Sequence, residues 1–163
     1  MNEHLWGSFW LVKAVAILLL AGVPTVFAQT SQDHVHRKAH SVMPFDIEET
    51  IHIFRMTETG GVQQVIAKDV DADVQIALIQ QHLNHEAERF QLGDFSDPEK
   101  LHGANMPGLK ALRAGASAIS VSYETLSAGA QITYETTDLH LITAIHRWFG
   151  AQLSEHGADA KAE

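Results

Sequence analysis

The chain has 163 residues, no cysteine and a formal net charge of −9, with 11 Lys and Arg against 20 Asp and Glu. The lack of cysteine excludes a small disulfide-held scaffold. With no basic stripe to release counterions, nucleic acid and anionic membrane surfaces are excluded as natural partners.

Residues 1–28 read as a secretory signal peptide. "MNEHLWGSFWLVK" is an n-region ending in Lys13, "AVAILLLAGV" is an uninterrupted apolar run, and "PTVFA" places small residues at Val26 and Ala28. The apolar run is shorter than the roughly 20 residues that cross a bilayer. The expectation is export to the periplasm, cleavage after Ala28, and no membrane span in the mature chain. Residues 29–44, "QTSQDHVHRKAHSVMP", are polar and without periodicity, which predicts a flexible arm carrying His34, His36 and His40. His-x-His tracts of this kind hold Cu(II), Ni(II) or Zn(II) loosely without any fold.

A single domain is expected over 45–157. "TIHIFRMTETGGVQQVIAKD" predicts two strands joined at Thr59-Gly60-Gly61. Between Asp71 and Gly93, Ile76, Ile79, Leu83, Ala87 and Phe90 recur at helical spacing, so one apolar stripe is expected there. "GDFSDPEKLHGANMPGLKALRAGA" follows as a loop, and Pro107 opens a short helix running through Leu109 and Leu112 to Gly115. "SAISVSYETL" and "AQITYETTD" predict a second hairpin. The last helix is capped by Asp138, carries a stripe of Leu139, Ile142, Ile145, Phe149 and Leu153, and ends at Gly157; 158–163 reads as tail. The predicted architecture is α+β and two-layered. It has a four-stranded antiparallel sheet from two hairpins, with two amphipathic helices on one face.

Eleven histidines are the compositional anomaly, and ten lie beyond Ala28. On the first long helix, His82 lies about 100° and Glu86 about 60° from the centre of the apolar stripe. As i and i+4 neighbours they form either a surface pair or two ligands of a metal site. His102 and Met106 flank a tight connection with glycines at 103 and 108. Imidazole with thioether suits copper, Cu(I) above all, better than magnesium or calcium. Met106 could equally be an apolar plug and His102 a cap on a backbone carbonyl. His146, about 50° from the core centre of the last helix, is either a ligand or a hydrogen-bonded structural residue. His52 shares a strand face with Phe54 and Met56, and the sequence does not say whether that face is open or covered.

These residues give a candidate metal set of His102, Met106, His82, Glu86, His146 and His52. A second reading places a small anion at Pro107, with His102 and Lys110 beside it. A third uses the His52, Phe54 and Met56 face to dock a protein partner. Nucleophilic catalysis lacks a cysteine and a Gly-x-Ser-x-Gly elbow, and "TGGV" is a turn rather than a phosphate loop. The expectation is therefore a non-enzymatic periplasmic metal-binding protein, copper ahead of zinc.

From "HIFRMTETGGVQQVIAKD" through "GDFSDPEKLHGANMPGLKALRAGA" to "HRWFGAQLSEHG", the chain resembles a family of small exported proteins of Gram-negative bacteria with no established activity. Its members are often labelled aspartate carbamoyltransferase. That enzyme uses a Ser-Thr-Arg-Thr phosphate loop in a longer, two-domain body, and this chain has no such loop. The resemblance implies export and the domain boundaries, and it transfers no catalytic residue.

Overall fold

The β-branched runs form two hairpins whose turns are only Glu58-Thr59 and Ser127-Ala128. The computed structural model describes residues 25–163, with side chains from Ser31 onward. β1 (Thr50–Thr57) pairs with β2 (Gly60–Ala67), and β3 (Ser120–Leu126) pairs with β4 (Gly129–Glu135), both antiparallel. An antiparallel ladder between β2 and β4 joins the hairpins into one sheet.

A fifth strand corrects the expected architecture. Residues read as tail form β5 (Ala160–Ala162), which lies parallel to β1 with His52 opposite Ala160. The sheet order is β3-β4-β2-β1-β5, so the sheet is mixed and five-stranded rather than four-stranded and antiparallel, still within the α+β class. The cause is topological. β4 and β1 are each antiparallel to β2 and so run the same way. The helix that follows β4 carries the chain back, and the next strand must run in their direction. Ala-Lys-Ala has little strand propensity of its own; pairing with the edge of β1 supplies it.

The helices also differ from expectation at both ends. α1 (Thr25–Ala39) occupies most of the segment read as a flexible arm. Its Val35 and Ala39 are 0% and 1% exposed and pack with Ile47 and Leu101. The signal peptide expected over 1–28 falls mainly outside the described residues. α2 (Asp73–Gln91) buries the whole predicted stripe and Glu86 besides. The segment before Gly103, read as loop, contains α3 (Ser96–His102). The Asp94 carboxylate accepts the Ser96 N–H at 3.0 Å, and Pro98 stands in the first turn, where a missing N–H costs no helical bond. α4 (Leu109–Gly115) is the short helix after Pro107.

α5 (Leu139–His156) starts as predicted, with the Asp138 carboxylate accepting from the backbone of His140 and Leu141. Its buried face is rotated from the predicted stripe. Leu141, Ala144, Ile145, Trp148, Phe149, Gln152 and His156 are inside. Leu139 is 76% exposed. The helix packs against the sheet and also against α1 and α4, so it is covered on two sides and buries residues that a one-sided helix would leave wet.

One core joins these layers. Phe54, Val65, Ile132 and Tyr134 from the sheet meet Ile79, Leu83, Ile145 and Phe149 from α2 and α5. Asp159, 6% exposed, closes the edge. Its carboxylate accepts from Gln32 Nε2 at 2.9 Å, His36 Nε2 at 2.7 Å and Lys68 Nζ at 3.0 Å, tying α1 and the end of β2 to the segment that leads into β5. Among the described residues, no helix is long and apolar enough to cross a membrane.

Candidate metal centre

The face of β1 that the sequence left undecided is covered. His52 and Phe54 are 2% and 1% exposed and point to the helices, while Met56, near the end of the strand, is 45% exposed. A docking surface of His52, Phe54 and Met56 is thereby ruled out. Beneath the helices, the His52 ring stacks on that of His156, with centroids 4.5 Å apart and planes at 27°. His156 in turn lies against His102, with centroids 5.1 Å apart. Three histidines from β1, the end of α3 and the end of α5 thus form one buried cluster.

The hydrogen bonding within the cluster is lopsided. The His102 side chain is 1% exposed, and its Nδ1–H donates to Glu155 Oε2 at 2.7 Å. In the neutral ring that bond leaves Nε2 as the nitrogen with a lone pair, and it fixes the plane of the ring. His52 and His156 have no such partner. Both ring nitrogens of each are buried with no hydrogen bond among the described residues, and so is Gln152 Nε2 one turn before His156. Each such group costs roughly 1–3 kcal/mol to leave unpaired. Burial, reinforced by the neighbouring His102, lowers the His52 pKa to about 3. Burial also pushes His156 well below the ordinary imidazole range, and His52 and His102 add to it. His52 and His156 are therefore held neutral, as metal-ligating imidazoles must be.

Beside the cluster, His82, Glu86, His102 and Gln152 line a cavity of about 40 Å³. Three of the predicted ligands, His82, Glu86 and His102, therefore line one small pocket. Burial lowers the His82 pKa to about 4, and the ring lies edge-on to Phe45 with centroids 5.6 Å apart. Burial raises Glu86 to about 7 against the pull of Arg89, which donates to it at 2.8 Å. The same guanidinium also holds Asp94, Asp97 and Ser96. Although burial works against it, hydrogen bonds from Lys100 and Arg89 hold Asp97 below the usual carboxylate range. Glu86 is committed to this network.

The other two predicted ligands lie elsewhere. Met106 is 5% exposed and belongs to the hydrophobic core with Leu109 and Leu112, so it is the apolar plug. His146 Nε2–H donates to the carbonyls of Thr57 and Gly60 at 3.0 and 2.8 Å, which clamps the first hairpin to α5. His102 and Lys110 do not face one ligand space, since Lys110 lines a separate groove. Among the described residues, no three or more His, Asp or Glu side chains already converge on a metal position. The histidine rings meet face to face or tilted, with their nitrogens not aimed at a common point.

His156 is the residue that sequence reasoning did not choose. Its signal was present: it sits at i+4 from Gln152 and i+8 from Trp148, on the stripe through Leu141 and Ile145 that a purely aliphatic reading passes over.

No family model, no curated protein and no solved structure matches this chain.

Proposed function

We propose that the protein is an exported, non-enzymatic metal-binding protein, and that His52, His102 and His156 hold a single Cu(I) ion, with Zn(II) the weaker ligand. The observation that carries this reading is the set of four ring nitrogens on His52 and His156, buried and unpartnered. A protein that gained nothing from two such rings would fill the space with apolar side chains of similar size.

Cu(I) is favoured over Zn(II) by charge. Three neutral imidazoles compensate none of the metal's charge, and the nearest hydrogen-bonded carboxylate is the one on Glu155. One cationic charge balanced by Glu155 through the His102 ring suits a dry interior better than two. Ligation requires His52 and His156 to turn about their Cβ–Cγ bonds until the lone pairs point at one position about 2 Å from each nitrogen.

The test is anaerobic Cu(I) titration against a competing chelator, with a parallel Zn(II) titration, on the metal-free chain without an affinity tag. The expected result is one Cu(I) per chain in the wild type and in Met106→Leu, and loss of that site in His52→Leu and His156→Leu. Retained Cu(I) binding in the His52→Leu/His156→Leu double variant would place any metal on exposed histidines such as His34 and His40 and would sink the proposal.

A further inference from the structure

The Pro107-Gly108 turn builds a second feature, on the outside of the molecule. Gly108 has φ 83°, and a Cβ there would lie 2.1 Å from the Ala144 carbonyl oxygen. This close approach seats the start of α4 directly on α5. The two helices then enclose a groove of about 600 Å³, within the size range of small-molecule sites. Ala111, Ala114 and Ala144 give it short apolar walls over Met106.

Its rim is basic. Lys110 stands on the α4 side, and His140 and Arg147, two turns apart, stand on the α5 side. In a chain of net charge −9, cations are scarce and several are engaged. Arg89 is held by Glu86, Asp94 and Asp97, Arg113 by Glu99, Lys68 by Asp159, and Lys100 by Asp97. Among the described residues, the side chains of Lys110, His140 and Arg147 form no ion pair with a carboxylate, although acidic residues outnumber basic ones in the chain. Two cations, Lys110 and Arg147, left together around an apolar-walled groove repel one another weakly, and a bound anion relieves that repulsion.

We infer that this groove binds a small organic carboxylate with an apolar body, such as a short-chain aliphatic or an aromatic acid. Arg147 offers a planar fork to the carboxylate and Lys110 a point charge, while the alanine walls and Met106 take the hydrocarbon. Inorganic phosphate would satisfy the rim but leave the walls empty. The site shares no residue with the histidine cluster and does not depend on metal binding.

Calorimetric titration of the full chain with hexanoate, benzoate, hexanol and inorganic phosphate tests it. Both carboxylates are expected to bind, hexanol and phosphate at least tenfold more weakly. Lys110→Gln with Arg147→Gln should weaken the carboxylates at least tenfold. Because both side chains are exposed, the thermal midpoint of the ligand-free double variant should match the wild type, which separates lost recognition from lost folding. Binding of neither carboxylate, or equal binding in the double variant, overturns the proposal. Phosphate binding as tight as benzoate overturns the assignment of an apolar body.

Discussion

His52 and His156 are kept neutral at the expense of four unsatisfied nitrogens, and that expense should be measurable. In the metal-free chain, His156→Leu is expected to stabilise by about 1–2 kcal/mol, because it removes unpaired polar atoms while nearly conserving volume. Urea unfolding of the two proteins decides it: a lower midpoint for His156→Leu would mean that the ring makes compensating interactions. The same residues set the acid limit. A histidine whose folded pKa is depressed contributes stability that is intact above its unfolded value of about 6.5 and is lost as pH falls toward the folded value. For His52 that window runs from about 6.5 down to about 3, with a loss of about 2 kcal/mol by pH 5. Glu86 acts oppositely: with its pKa raised to about 7, it contributes stability below its unfolded value that disappears as pH rises through 7. Glu86→Gln should therefore make the fall in stability between pH 7 and 5 steeper than in wild type, read from denaturation midpoints across that range. An unchanged slope would show that Glu86 stays ionised beside Arg89.

Among the elements, the α4–α5 junction makes the sharpest demand on sequence. Gly108→Ala places a side chain in left-handed backbone and against the Ala144 carbonyl. It should cost about 2–4 kcal/mol, visible as a lowered urea midpoint with little change in slope. A cost under about 1 kcal/mol would mean that α4 can slide on α5. The elements legible in the sequence were those whose burial is one-sided. α2 shows the sheet a single stripe, so Ile76 through Phe90 announced themselves, and the two hairpins did so by alternation. α5 is covered on two sides, so its inner face includes Gln152 and His156, and aliphatic periodicity chose the wrong rotation. α3 had a legible start in "SDPE", but seven residues give too few turns for a stripe. α1 and β5 were illegible for a different reason. Each is stabilised mainly by partners distant in sequence, α1 through Asp159 and β5 through β1, and local pattern carries no record of those. The candidate site followed the same rule: His82, Glu86 and His102 were visible from spacing and loop chemistry, whereas pairing His52 with His156 required the sheet.

At the scale of the molecule, Asp159 holds the edge of the fold together by binding Gln32, His36 and Lys68 at once. Asp159→Ala should release α1 while leaving the main core folded. Hydrogen–deuterium exchange should then show lost protection over 32–39 with α2 still protected. Equal loss in α1 and α2 would show instead that the edge and the core unfold as one unit.

The pairing of His52 with Ala160 has a further consequence in time rather than in space. His52 and His156 are separated by more than half the chain, and His102 lies between them. No fragment short of nearly the whole domain can bring the three rings together, and non-local contacts of this kind form late because loop closure must precede them. The cluster is consequently a product of completed folding: it can neither template the fold nor exist ahead of it, and any chemistry it performs begins only after the last strand has closed against the first.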